Sequence, residues 1–362
     1  AHFENIQDAS SYLSASGVMG GGDVYFDIRP GTYNGQITLN ANLVNNNKIY
    51  FRSSTGRASD VTVEATPGSV NNYVFWLDGM KNVYISNLTL KNNASNFSLA
   101  GRVLVVNNGN NINLTNCNVF GVANSPKDAS YANIYFNNTS NSKVSNNIIL
   151  NGAIGIRNEG SLSNLSASFD NNIISDYSWM GISNNLATPN HNVIITNNVI
   201  RNTNTNKPPY GIASTNGTTI TNNMIDGLTG TAGDAKEAGI YVSATATPND
   251  YTVITGNQIT NLVNVNGIYA ENTKIKVSKN LVNSNLTIAS NKSLFNATNT
   301  MGYAGNNWFN GGNITGLLVN NSASFYFIYN TVINSSATYP TVYSSVNSGM
   351  IHRNLFQNMG TG

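Results

Sequence analysis

The sequence predicts an all-β chain, a right-handed parallel β-helix solenoid of about 12–13 coils closed at its start by a capping helix. Three observations predict it. Between Leu88 and Asn354 one short phrase recurs: Ser or Thr, any residue, usually Asn, any residue, then an apolar side chain. Its spacing averages about 27 residues, the period of a solenoid. A second column four residues on reads Asn92, Gly121, Asn151, Asp176, Asn202, Gly227, Asn261, Ser284, Gly311, Asn334 and Asn358, residue types that tolerate left-handed backbone. A third series, Gly155-Ile156, Gly181-Ile182, Gly211-Ile212, Gly239-Ile240 and Gly267-Ile268, supplies the next strand of each coil. Strand, crossover and parallel strand connect with right-handed sense in about 98% of cases, which sets the expected hand.

The elements follow in order. Phe3, Ile6, Ala9, Tyr12 and Leu13 share one helical face before Gly17, so residues 1–22 read as a cap that covers the first coil. Strands are expected at Val24–Ile28, Gln36–Leu39, Lys48–Arg52 and Val61–Glu64. Residues 23–362 then form one solenoid, expected to continue into further sequence because an open parallel edge invites pairing.

The third position of the phrase runs Leu88, Cys117, Asn147, Asn172, Asn198, Asn223, Asn257, Asn280, Asn307, Asn330 and Asn354. Coils stack about 4.8 Å apart, so these amides are expected to bond up and down one column. Leu88 and Cys117 are expected to begin it as apolar groups that need no partner. The longest gap, Asn223 to Asn257, contains Gly227 to Ala238, the expected protruding loop.

Charged residues make up only 9% of the chain, against roughly 25% in ordinary globular proteins, and the net charge is +2. No basic run supports nucleic-acid binding, and no apolar stretch reaches the roughly 18 residues of a membrane span. The single cysteine, Cys117, forms no intrachain bridge. His2, His191 and His352 are too dispersed for a metal site, and no cofactor motif is present. The Asn-x-Ser/Thr matches, such as those at Asn87, Asn113, Asn216 and Asn313, follow from the composition.

Phe3-Glu4-Asn5-Ile6-Gln7-Asp8-Ala9, then Tyr25-Phe26-Asp27-Ile28-Arg29-Pro30-Gly31-Thr32-Tyr33-Asn34 and Ile49-Tyr50-Phe51-Arg52-Ser53, carry a resemblance to a known module. The chain resembles the right-handed β-helix, pectin-lyase-like regions of large secreted and surface bacterial proteins of the type IX secretion kind. The resemblance covers nearly the whole chain. It implies an extracellular or cell-surface location and a polysaccharide or cell-surface glycan as partner, the chain being a monomeric segment of something larger. It does not select a reaction, because that superfamily contains lyases, hydrolases and modules with no activity. The Asn-Thr-Asp, Asp-Asp, Gly-His-Gly and Arg-Ile-Lys patterns of its pectin hydrolases are all missing here.

Candidate chemistry is sparse. Glu159 and Glu271 share a column four coils apart, about 19 Å, too far for a carboxylate dyad that works at about 5–9.5 Å. Arg201 and Asp226 are adjacent in another column, near the loop that carries Asp234, Lys236 and Glu237. Arg201, Asp226, Lys236 and Glu237 are therefore the catalytic candidates, able in principle to bind or deprotonate an acidic sugar. An ordinary surface ion pair is the competing reading. Tyr177, Trp179 and Tyr210 are the candidate sugar-stacking aromatics. Tyr241 and Tyr269 read as ladder packing, and Trp76 and Trp308 as core or coil packing.

Two functions remain. The first is a noncatalytic extracellular segment, a rigid spacer or adhesive module that binds carbohydrate weakly through its loops. The second is a polysaccharide lyase or glycoside hydrolase acting on a cell-wall or extracellular glycan. Ice binding ranks last, because the outward Ser/Thr column is one residue wide and includes Asp170.

Overall fold

The computed structural model describes residues 3–17, 22–40, 47–95, 100–187, 192–203, 208–215, 217–231, 233–244, 250–284, 292–312, 314–322, 324–335, 338, 340–346 and 348–359. His2, His191, Asn216 and Asn313 lie outside them.

The helix spans Ile6–Ser16. Asn5 caps it, its side-chain oxygen accepting from the Asp8 amide at 2.7 Å, and Gly17 ends it in left-handed backbone with its N–H on the Leu13 carbonyl. Ile6, Ala9, Ser10 and Leu13 form the buried face. Phe3 and Tyr12, expected on that face, are exposed and pack on each other with ring centroids 5.5 Å apart.

Each coil gives one strand to each of three parallel sheets. Two compact units follow one another, Ala1–Trp179 and Met180–Gly362, and each is built this way. In the first unit the first sheet comprises Val24–Ile28, Ile49–Ser53, Lys81–Ser86, Asn110–Thr115, Ser142–Ser145 and Ser166–Asp170. The early strands match expectation closely, with Gly31–Asn34 as an additional one.

Alternation places one face of every strand inside. In the first unit Phe51, Ile85, Leu114, Val144 and Phe169 stack in register on the first sheet, and Val63, Leu90, Val119, Ile149 and Ile174 on the second, all fully buried. The second unit repeats this with Ile195, Ile220, Ile254, Val277, Ala304 and Phe327 on the first sheet, and Ile200, Ile225, Ile259, Val282, Phe309 and Val332 on the second. Each such aliphatic side chain contributes about 1.5–3 kcal/mol by burial. The Gly-Ile series is the third sheet: Ile182, Ile212, Ile240 and Ile268 pair in sequence and continue through Phe295 and Leu317. The glycines before Ile212, Ile240 and Ile268 are packing requirements. A Cβ on Gly267 would sit 2.3 Å from the Leu294 carbonyl oxygen and 2.4 Å from Val282.

The amide column exists and lies at the corner between first and second sheets. In the first unit Cys117 N–H donates to Asn147 Oδ1 at 2.9 Å, and the backbone and side-chain nitrogens of Asn147 donate to Asn172 Oδ1 at 3.1 and 2.9 Å. In the second unit the same double donation runs from Asn198 through Asn223, Asn257, Asn280, Asn307 and Asn330 to Asn354, at 2.8–3.1 Å. Cys117 does not stand apart as an apolar group. Its thiol points at the Thr115 and Ile85 carbonyls, 3.3 and 3.8 Å away, a carbonyl pair equivalent to the one that Asn223 Nδ2 reaches on Thr221 and Ile195. Burial pushes its pKa up to about 12.

The left-handed backbone sits elsewhere than expected. Of the column four residues past the phrase, only Asn151, Asp176, Gly227 and Asn261 have positive φ. The turn is made by the residue before the ladder position: Asn146, Asn171, Asn197, Asn222, Gly256, Lys279, Asn306, Tyr329 and Arg353, all with φ between 52° and 71°. The chain must reverse there while the next amide turns inward, which asparagine and glycine do at least cost.

Candidate functional site

The third sheet alternates like the others. Where Ile240 and Ile268 point inward, Tyr241 and Tyr269 are paired in register on the opposite face, with ring centroids 5.7 Å apart. Tyr210 joins them, 6.1 Å from Tyr241. Two residues past Tyr269, Glu271 gathers their hydroxyls: Tyr241 donates to Oε1 at 2.5 Å and Tyr269 to Oε2 at 3.1 Å. Lys236 reaches Oε1 from the loop at 2.6 Å.

Burial pushes the Glu271 pKa up, but Lys236 and the tyrosine hydroxyls outweigh it, and the net shift is below the ordinary glutamate value. Burial and the Glu271 carboxylate push Tyr241 well above the ordinary tyrosine value and Tyr269 up to about 12. Glu271 is thus an ionised acceptor, both tyrosines are protonated donors, and Lys236, its pKa raised by Glu271, is a cation. The first unit carries a comparable cluster on its third sheet. Tyr135 donates to Glu159 Oε1, Arg157 donates to Oε2 through Nε at 2.8 Å and Nη2 at 2.5 Å, and the Arg102 guanidinium lies 3.9 Å from the Tyr135 ring centroid.

The loop that brings Lys236 is held from beneath. Lys292 is fully buried, donates to the Asp234 carbonyl and lies 3.5 Å from Glu237 Oε2. Burial lowers its pKa. Glu237, itself buried, accepts from the Thr231 amide at 2.5 Å. Leu228 is buried and Thr229 bridges to Val263, so the start of the expected protruding loop packs against the next coil.

The four catalytic candidates therefore fall into separate clusters. Arg201 and Asp226 pair in register on the second sheet, but the Asp226 carboxylate accepts from Thr260 at 2.7 Å and Asn261 at 2.6 Å, and no ion pair joins it to Arg201. Lys236 belongs to Glu271, and Glu237 to Lys292. Among the sugar-stacking candidates, Tyr177 is fully buried and offers no ring face, which corrects its reading as a contact residue. Tyr210 is almost buried, its hydroxyl 3.3 Å from Asp234 Oδ2, and Trp179 is half-buried. Trp308, read as packing, is 47% exposed. Among the described residues no group of three or more His, Cys, Asp or Glu side chains converges. None of the described helices is long and apolar enough to cross a membrane.

Sequence reasoning overlooked the Glu271 cluster. The signal lay in the repeat itself, since Tyr241 and Tyr269 both follow Gly-Ile and Glu271 stands two residues further along the same face. Lys236 carried no such signal, because its place on the cluster depends on the loop's path.

No family model and no curated protein matches this chain. Solved structures similar at low identity include the following three. Escherichia coli YbhC is 14% identical with a TM-score of 0.37, over 76% of this chain and 69% of that one. PfbA, a surface adhesin of Streptococcus pneumoniae, is 13% identical with a TM-score of 0.39, over 92% and 89%. The A-module of the mannuronan C-5 epimerase AlgE6 of Azotobacter vinelandii is 12% identical with a TM-score of 0.41, over 96% and 94%.

Proposed function

We propose that this chain is a noncatalytic module of a secreted or cell-surface protein, a stiff β-helix that presents a glycan-contacting face on the outer side of its third sheet. The protonation pattern at Glu271 carries this reading. Hydrolysis and β-elimination both need a group that gives up or takes a proton near neutral pH. At this site the carboxylate is held ionised and the two phenols are held protonated. Such a set keeps fixed donors and acceptors, which suits sugar hydroxyls, and its one carboxylate is already engaged by Lys236 and both phenols. Stiffness follows from the ladder, whose amides bond each coil to the next.

The test is a glycan array on the full chain, run beside assays for unsaturated uronate and for new reducing ends on acidic polysaccharides. Binding without turnover, weakened by Tyr241→Phe, is the expected result. Turnover abolished by Glu271→Gln would replace the reading with a polysaccharide lyase or glycoside hydrolase.

A further inference from the structure

On the outward face of the second sheet of the second unit, Val199, Met224, Gln258, Leu281, Trp308, Thr331 and Leu355 stand in register. Trp308 is 47% exposed in the middle of this row. Beside it runs the corner column of left-handed residues, and between the two lies a shallow cavity of about 380 Å³, lined by Leu281, Trp308, Thr331, Lys279, Asn306 and Tyr329 and floored by Asn280 and Asn307 of the ladder. Two residues along the strands from Leu281 and Trp308, Asn310 donates to Asn283 at 3.3 Å and extends the polar margin.

A second observation singles out this place. From Asn146 onward the corner position is asparagine or glycine except at Lys279, Tyr329 and Arg353. Lys279 and Tyr329 line the cavity. Arg353 donates to the Tyr329 hydroxyl at 2.6 Å, with its guanidinium 5.6 Å from that ring. The residues that depart from the cheap choice for this backbone are thus the ones that shape the cavity or hold its wall, as expected when strain is retained for a function.

We propose that this cavity is a carbohydrate-binding site that takes a pyranose ring of a glycan chain, the ring lying on the Trp308 indole with its polar substituents on Lys279, Asn306 and Thr331. An exposed indole beside amide and hydroxyl groups matches a sugar's apolar ring face and hydroxyl rim. Lys279 is the sole ionic group of the lining, so the cavity complements hydroxyl or carboxylate oxygens and repels cationic partners. Polar groups interleave with the apolar ones, Gln258 and Thr331 within the row and Asn306 beside it, a mixture too polar for lipid or for a dry contact between two copies. The site is separate from the third-sheet face around Glu271.

Calorimetric titration of the full chain with two probes, a hexamer of β-1,4-glucan and a hexamer of β-1,4-mannuronan, tests the proposal. At least one hexamer is expected to bind, and Trp308→Ala to weaken it about tenfold, the size of one lost stacking contact. Lys279→Met separates the two sources of the ring: it weakens the mannuronan hexamer more than the glucan hexamer if a carboxylate is read, and weakens the two alike if only hydroxyls are read. Trp308→Phe is expected to retain most of the affinity. Repeating Trp308→Ala in a Tyr241→Phe background separates the two faces: a tenfold loss that persists there belongs to the Trp308 cavity, so failure here and failure of the third-sheet reading are distinguishable. The proposal is overturned if neither hexamer binds, if Trp308→Ala binds as tightly as the parent, or if Trp308 instead governs self-association in sedimentation or binding to phosphatidylglycerol vesicles.

Discussion

Asn257→Ala removes one rung from the middle of the second unit's ladder, and its cost can be worked from the bonds lost. The Asn257 side chain donates to the Ile220 carbonyl at 3.0 Å, the Thr255 carbonyl at 3.3 Å and Asn280 Oδ1 at 3.0 Å. It accepts from Asn223 N–H at 2.9 Å and Asn223 Nδ2 at 3.0 Å. These losses are unequal. Asn280 Oδ1 keeps the Asn257 backbone N–H at 2.9 Å, and Asn223 Nδ2 keeps the Ile195 and Thr221 carbonyls. The Asn223 backbone N–H is buried and has lost its acceptor, which costs about 1–3 kcal/mol. The remaining bonds, led by that to the Ile220 carbonyl, contribute about 1 kcal/mol net each at most. The total is about 3 kcal/mol.

Two measurements read it. Urea unfolding followed by tryptophan fluorescence should show a loss near that size, with the caution that stacked coils unfold piecewise and the transition must be checked with a second probe. Hydrogen exchange is more local: the Asn223 amide should exchange faster by roughly a hundredfold, while amides of the distant ladder residue Asn330 change little. A loss below about 0.5 kcal/mol with unchanged exchange at Asn223 would show that the column is not what joins these coils. Asn257→Cys is a useful companion. Cys117 shows that a thiol can point at the two carbonyls, but it offers no oxygen to the preceding amide, so this variant should recover only part of the loss.

Other outcomes follow from the same geometry. Gly267→Ala should cost about 3 kcal/mol or prevent folding, since its Cβ would meet the Leu294 carbonyl at 2.3 Å; thermal unfolding measures it. Lys279→Asn should stabilise by about 1 kcal/mol, because asparagine adopts left-handed backbone more readily than lysine, and Asn222→Val should do the opposite by a larger amount. Glu271 has a folded pKa below its ordinary 4.5, so its contribution is fully present above that pH and is lost as pH falls through the depressed value. The melting difference between the parent chain and Glu271→Gln should accordingly be largest above pH 4.5 and shrink below it. Cys117, buried with its pKa pushed up to about 12, should resist a thiol reagent until the first unit unfolds.

The sequence made visible whatever the repeat enforces. A ladder asparagine recurs because its neighbours above and below are copies of itself, so the period alone names its partners, and Asn198 to Asn354 lie where the phrase places them. The same logic paired Arg201 with Asp226. Register, however, fixes the adjacency of backbone, and the side chains chose other partners, since Asp226 finds Thr260 and Asn261 in the following coil. Loop residues were less legible still. Nothing in the period tells that Lys236 ends on Glu271 or that Lys292 closes under Asp234, because both depend on the path of an insertion that has no copy elsewhere in the chain.

A repeat that specifies its own neighbours leaves the departures from it to be explained. At the corner before each ladder position, asparagine and glycine satisfy the backbone, so a lysine, tyrosine or arginine there raises the cost by about 1–2 kcal/mol with no gain in the column. Three such residues among four successive corners around one exposed tryptophan, Asn306 being the fourth, are hard to account for by folding alone. If they persist for packing, Lys279→Asn stabilises nothing, because the lost contacts offset the relieved backbone. If they persist for a ligand, the same variant stabilises the free chain and weakens the bound one. Measuring stability and glycan affinity on that single substitution therefore separates a structural cause from a functional one.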